Sequence, residues 1–187
     1  MIRMKVVGFV GSPRKQGNTD VLVQQVLDGA VLSGAEVEKF YLNEMDLKGC
    51  QGCNYCRAVE GCKLNDDMTK AYEALRSADG FVFGSPIYFF QLTGQMRQFI
   101  DRWFALINPD FTPRIKEGKK AVIVGAQGAP DPEAFKPVYE EFSRILQMFG
   151  MDVKGTFVDV GHHAPGEVRE NTVLMEQAQS SGSRMFE

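Results

Sequence analysis

The sequence predicts a doubly wound α/β fold, a five-stranded parallel sheet covered by helices on both faces. Three observations carry this. Residues 4–10 form a near-continuous apolar run rich in valine, as expected of a strand buried on both sides of a parallel sheet. Four further strand-like segments alternate with stretches of helical periodicity. At 187 residues, with 44% apolar and 24% charged residues, the composition suits one soluble globular domain spanning 1–187, without repeats or low-complexity linkers.

The elements follow in order. After the first strand comes the loop GSPRKQGNT, residues 11–19. Val23, Val26, Leu27, Ala30 and Val31 then share one face of a helix that Gly34 ends. Residues 36–42 alternate as a second strand, and the cysteine-rich loop at 49–63 is irregular. Asp66 or Asp67 caps the next helix, whose inner face is Met68, Ala71, Tyr72 and Leu75. GFVFG (80–84) is the third strand and SPIYFFQLTG (85–94) the loop behind it. Thr93 caps a helix carrying Met96, Phe99, Ile100, Trp103, Phe104 and Ile107. AVIVG (121–125) is the fourth strand. A long helix follows, marked by Phe135, Val138, Tyr139, Phe142, Ile145, Leu146 and Phe149. Residues 153–160 form the fifth strand and 167–179 the last helix. The tail SSGSRMFE has no pattern and is expected to fray.

The net charge of −3 argues against a nucleic-acid surface, which needs an excess of lysine and arginine. The short N-terminal apolar run is broken by Gly8, Gly11 and Pro13, too soon for a membrane span or a signal peptide. The expectation is a cytoplasmic protein with reduced thiols.

Ligands of doubly wound sheets bind beyond the carboxyl ends of the strands, which makes candidates of the loops 11–19, 85–94 and 126–132. In the first, helix-terminal amides are joined by Ser12, Asn18 and Thr19 as donors and by Arg14 and Lys15 as cations, while Gly17 allows close approach. A phosphate, from a mononucleotide, is the guest this predicts. Neither a Walker motif nor the dinucleotide fingerprint is present, and the loop lacks a phosphatase cysteine. The competing reading is a polar turn capped by Asn18 or Thr19. The second loop is aromatic where a polar one is the default. Pro86 stiffens it, and Tyr88, Phe89 and Phe90 offer a wall to a flat ring, or else core or subunit packing.

All four cysteines lie in CQGCNYCRAVEGC, as C-x2-C-x2-C-x5-C. Two-residue spacings let Cys50, Cys53 and Cys56 turn toward one centre with Cys62, and Gly49, Gly52 and Gly61 leave room for a bulky inorganic core. An iron–sulfur cluster, a structural zinc ion and a cluster-free loop remain open; disulfides suit neither the compartment nor so tight a group.

Taken together, GSPRKQGNT, the cysteine run and GSPIYFFQLTGQMRQFIDRW resemble the NAD(P)H-dependent FMN reductase-like flavoproteins of flavodoxin-like, three-layer fold, and among them the iron–sulfur flavoproteins. The resemblance implies that Ser12, Arg14, Gly17, Asn18 and Thr19 hold the FMN phosphate. It implies that Ser85, Pro86, Ile87, Tyr88 and Phe89 support the isoalloxazine, that Gln127 and Gly128 border it, and that Cys50, Cys53, Cys56 and Cys62 bind a 4Fe-4S cluster. The cysteine spacing departs from bacterial ferredoxins, since the fourth cysteine is further on and not followed by proline. The implied function is an FMN-dependent oxidoreductase passing electrons between ferredoxin or NAD(P)H and a small acceptor such as a quinone or oxygen. A homodimer or homotetramer is implied, with FMN near the subunit interface. A cluster-free NAD(P)H-dependent reductase, a flavodoxin-like carrier and a zinc-stabilised binding module are the alternatives. The cofactors carry the chemistry, so no catalytic acid–base side chain is expected. His162 and His163 read as a solvated loop without a partner carboxylate, and Arg97, Asp101 and Arg102 as the polar face of their helix or an interface.

Overall fold

The computed structural model describes residues 3–187. Its strands are β1 (Lys5–Val10), β2 (Glu36–Tyr41), β3 (Gly80–Tyr88), β4 (Gln91–Leu92), β5 (Lys120–Gln127) and β6 (Asp152–Val160). Its helices are α1 (Asn18–Leu32), α2 (Tyr55–Ala58), α3 (Met68–Ser77), α4 (Gly94–Asp101), α5 (Lys136–Met148) and α6 (Thr172–Ser183). Five strands pair in parallel in the order β2-β1-β3-β5-β6, and β4 pairs antiparallel with β3. The near-continuous apolar runs became the interior strands β1, β3 and β5, while the alternating β2 and β6 became the edges.

Strand alternation sorts the core by face. Phe9, Phe81 and Phe83 point to one side, where they meet Phe99, Trp103, Phe142 and Phe149 from the helices. Val6, Val10, Val82, Val122 and Val124 point to the other, against Val23, Val26 and Leu27 of α1 and Ala178 of α6. Gly84 sits on this second face, where a Cβ would collide with Val23 and crowd Thr19. The missing side chain lets the first turn of α1 rest directly on β3.

Three expectations need revision. The third strand continues four residues beyond Gly84, pairing Ser85 with Gly125 and Pro86 with Ala126. Gly84 gives its carbonyl to Gly11 N–H at 2.7 Å. By alternation Pro86 also faces the β1 side, where β1 has already ended, so its missing N–H breaks no ladder. The expected loop at 85–94 is therefore mostly a hairpin, with Phe89 and Phe90 as its two-residue turn at φ of 42° and 68°. Both positions are left-handed, the geometry Asn-Gly adopts at least cost, so phenylalanine here strains the backbone. The tail, finally, is not frayed. Helix α6 runs to Ser183 and Met185 is fully buried.

What anchors that tail is close packing of α6 on α1. A Cβ on Gly29 would overlap the backbone of Gln179, and one on Gly182 the backbone of Val26. Neither helix can yield without moving the other. Gly29→Ala should accordingly destabilise the protein by about 1–3 kcal/mol in urea unfolding despite alanine's better helix propensity. An unchanged or raised midpoint would show that the two helices are not held this closely.

Candidate functional site

Beyond the carboxyl ends of β1, β3, β5 and β6 lies a cavity of about 310 Å³. One wall is the first turn of α1 with the loop before it, through Ser12, Arg14, Gly17, Asn18 and Thr19. Gly17 is the N-cap and offers no side chain to the first-turn amides. Asp20, the acid of that turn, faces elsewhere. It accepts Gln16 N–H at 2.7 Å and the Tyr41 hydroxyl at 3.2 Å, and pairs with Lys39 at 2.9 Å. The helix thus presents positive dipole and open donors to the cavity. Ser12 and Thr19 are buried, and Ser12 Oγ accepts Arg14 N–H at 3.2 Å. Asn18 Oδ1 accepts Val168 N–H at 3.3 Å, which turns its amide side into a fixed donor.

The opposite wall is Pro86, Ile87 and Tyr88, with Ala126, Gln127 and Gly128 beside them and residues 162–165 closing the edge. Of the twelve residues expected at a cofactor site, ten line this cavity: Ser12, Arg14, Gly17, Asn18, Thr19, Pro86, Ile87, Tyr88, Gln127 and Gly128. Ser85 and Phe89 do not. Ser85 is buried beneath the wall, where its Oγ accepts Thr93 N–H at 3.1 Å. Thr93 in turn donates to the Gly11 carbonyl at 2.8 Å and caps α4 by accepting Met96 N–H at 3.2 Å. Ser85 therefore ties the end of β3 to α4 and β1. Phe89 stands at the hairpin tip, 95% exposed, and the expected aromatic wall reduces to Tyr88. Phe90 leans away, edge-on to Phe135 at 5.7 Å. Lys15 is also directed elsewhere, paired with Glu44 at 2.6 Å.

The four cysteines line a second, smaller cavity with Asn54, Leu64, Arg102 and Phe104. Cys50 and Cys53 are exposed, Cys62 is half-buried and Cys56 is buried. Burial pushes the Cys56 thiol up, and the three neighbouring thiols push it further. Among the described residues no three His, Cys, Asp or Glu side chains stand close enough to hold one metal ion.

The family model described as NADPH-dependent FMN reductase matches residues 4–162. The chain belongs to that family. It is a flavin-dependent oxidoreductase of flavodoxin-like fold. An iron-sulfur flavoprotein of Methanocaldococcus jannaschii is 31% identical over 98% of this chain and 96% of its own length. One from Archaeoglobus fulgidus is 33% identical over 98% of this chain and 80% of its own. A solved NAD(P)H:quinone oxidoreductase from Methanothermobacter marburgensis shares the fold, with a TM-score of 0.75 at 18% identity, covering 100% of this chain and 98% of the other. No helix of the described chain is long and apolar enough to cross a membrane.

Two buried polar groups leave an oxygen without a partner: Gln127, which the sequence placed at the site and which lines the cavity, and Asp159, which it did not name. Gln127 is buried, donates Nε2 to the carbonyls of Ala129 (3.2 Å) and Asp131 (2.7 Å), and leaves Oε1 without a partner. Asp159, fully buried at the end of β6, lies 2.6 Å from His162 Nδ1 through Oδ1, while Oδ2 has no partner. The solvated-loop reading of His162 thus fails, since it has a carboxylate three residues back. β6 carries Asp152, Lys154 and Thr156 as well, so composition gave Asp159 no mark of its own. His163 behaves differently: its backbone carbonyl accepts from Arg14 Nη1 at 3.3 Å, and its ring abuts Gly128. Burial raises the Asp159 carboxyl above the usual range, with His162 pulling it back. The same hydrogen bond raises the His162 imidazole above its ordinary 6.5. A raised histidine adds stability in full below about pH 6.5 and loses it as pH climbs through the raised value. The chain has only two histidines, so an NMR titration of their ring protons resolves both. His162 should titrate above 6.5, and Asp159→Asn should lower it. An unmoved His162 in that variant would exclude the pair.

Proposed function

We propose that this flavin-dependent oxidoreductase binds FMN in the cavity of about 310 Å³ and moves electrons between a carrier, ferredoxin or NAD(P)H, and a small acceptor such as a quinone or oxygen. The observation that carries the reading is the uncapped start of α1, opened toward Ser12 and Thr19 and facing the Pro86–Tyr88 and Gln127–Gly128 walls. In this reading Ser12, Arg14, Gly17, Asn18 and Thr19 hold the phosphate through helix amides, hydroxyls and a guanidinium. Pro86, Ile87 and Tyr88 flank the ring, with Gln127 and Gly128 along its edge, and the unpartnered Gln127 Oε1 is an acceptor for a ring N–H. Ser85 acts from beneath, by holding the β3 end in register. Flavin supplies chemistry in one-electron and two-electron steps; the chain supplies position, donors and exclusion of water.

Cys50, Cys53, Cys56 and Cys62 hold a 4Fe-4S cluster in the same proposal. A single metal ion needs its ligands around one point, which these residues do not offer. A four-iron cluster takes one thiolate at each iron, so its ligands surround a body, and four thiols on one cavity suit that shape. The two exposed thiols, Cys50 and Cys53, would open the cluster to a docking electron carrier. Assembly as a homodimer or homotetramer belongs to the reading, with the exposed Tyr88 in the cavity wall and Phe89 at the hairpin tip as apolar surface for it to cover.

Anaerobic purification with flavin, iron and sulfide analysis tests both cofactors. The expected result is one FMN with about four irons and four sulfides per chain. Flavin without iron would leave a cluster-free NAD(P)H-dependent reductase, and colourless protein would remove the flavin reading. Ser12→Ala removes one donor to a charged phosphate. It should weaken FMN binding by about ten- to hundredfold, corresponding to about 1.5–3 kcal/mol, in a fluorescence titration of the apoprotein.

A further inference from the structure

Arg102 begins the 3-10 turn that follows α4, and its side chain is 1% exposed. It grips Asp66 with two prongs, Nη1 to Oδ2 at 2.6 Å and Nη2 to Oδ1 at 3.1 Å, and Nη1 also donates to the Lys48 carbonyl at 2.7 Å. Asp66 in turn accepts the N–H groups of Lys48 at 3.0 Å and Met68 at 3.1 Å. Burial works against the Asp66 carboxylate, and Arg102 with these amides still holds it below the usual range. Lys48 and Asp66 flank the cysteine segment, so this one ion pair ties its two ends together. Farther along, Arg114 Nη2 donates to the Cys56 carbonyl at 2.9 Å.

One donor is left over. Arg102 Nε is buried and has no acceptor, and Arg102 forms part of the wall of the cysteine cavity. Asp66 is not part of that wall, so the cavity meets the cation and not its counter-ion. A buried N–H without an acceptor is costly enough that its place calls for a partner. Four cysteine thiolates around iron and sulfide supply negatively polarised sulfur, and cluster potentials respond to local charge and to hydrogen bonds at sulfur.

We infer that Arg102 is the buried counter-charge and hydrogen-bond donor of the cysteine site, clamping the loop's neck through Asp66 and Lys48 and giving its Nε–H to a sulfur of the bound cluster. This rests on the cluster reading proposed above. Arg102 is a positioning residue and makes the cluster easier to reduce, because reduction adds negative charge beside a fixed guanidinium.

The test uses full-length protein purified without oxygen, with iron and sulfide analysis and an EPR-monitored redox titration. Arg102→Gln alone would strand the Asp66 carboxylate in the interior, so the principal variant is Asp66→Asn/Arg102→Gln, which removes both charges together. Arg102→Lys keeps the charge without the Nε–H and serves as the second variant. Flavin content and a urea melt check that each variant is folded. The expected result is a more negative cluster midpoint in the double variant and a smaller shift in Arg102→Lys, or loss of iron from folded, flavin-loaded double variant. Four irons at the wild-type midpoint in both variants would overturn the inference and leave the cluster reading intact. Wild-type protein without iron would overturn the cluster reading, and this inference with it.

Discussion

Direct contact between the first turn of α1 and strand β3 is the constraint on which the rest of the site depends. It exists because Gly84 has no side chain where Val23 and Thr19 press onto the sheet. With α1 this low, its open amides lie level with the strand ends. The Gly11–Gly84 backbone bond and the Thr93 hydroxyl on the Gly11 carbonyl then lock the ends of β1 and β3 together. A larger residue at 84 would lift the helix and tilt its N-terminus away from the cavity that Ser12 and Thr19 line.

Helix α4 connects the two candidate cofactor sites. Its cap, Thr93, belongs to the hydrogen-bond knot beneath the large cavity, and Arg102, just past its end, stands in the wall of the cysteine cavity. Eight residues of helix rise about 12 Å, so the sites share one short rigid element. That element is held by Phe99 and Trp103 in the aromatic layer, where Trp103 meets Phe99, Phe83 and Phe149 at 5.3–5.5 Å between ring centres. Dense aromatic packing suits this face, because an irregular cysteine segment adds few regular backbone hydrogen bonds of its own. Its stability comes from arginines reaching across: Arg102 to Lys48 and Asp66, Arg114 to Cys56, and Arg57 to Asn108 and Pro109.

The cavity is also polar in an uneven way. The α1 side offers donors, whereas Gln127 on the β5 side leaves the buried oxygen Oε1 without a partner, and Asp159, behind the lining residue His162, leaves Oδ2 without one. Isolated buried acceptors are rare in folded proteins, and Gln127 Oε1, on a residue of the cavity wall, suits a ligand that brings a donor of its own. The left-handed Phe89–Phe90 turn directly follows Tyr88 of the cavity wall, and backbone strain of this kind concentrates at binding sites.

Most of the fold could be read along the chain. The order and type of the main elements, the buried first strand and the Thr93 cap all rest on neighbouring residues whose spacing states their role. Ten of the twelve residues expected at a cofactor site, some read from the loops and some implied by the resemblance, line the large cavity. The exceptions share a cause. Ser85 and Phe89 were assigned from the loop they sit in, but β3 kept pairing with β5 past the point where its apolar run ends. The tail was expected to fray because SSGSRMFE has no periodicity, yet Gly182 and Met185 are held by α1 and the sheet. Arg102 looked like surface and His162 like a solvated loop, since nothing local names Asp66 as the partner of one or marks Asp159 as the buried partner of the other. By itself, then, the sequence determined which segments are strands and helices, which loops stand at the carboxyl ends of the strands, and how the four cysteines are spaced. Only the tertiary structure decided which charges are paired and buried, which aromatics line a cavity, and which donors are left without acceptors. Those properties depend on what distant segments place beside a residue, and one-dimensional spacing does not encode that.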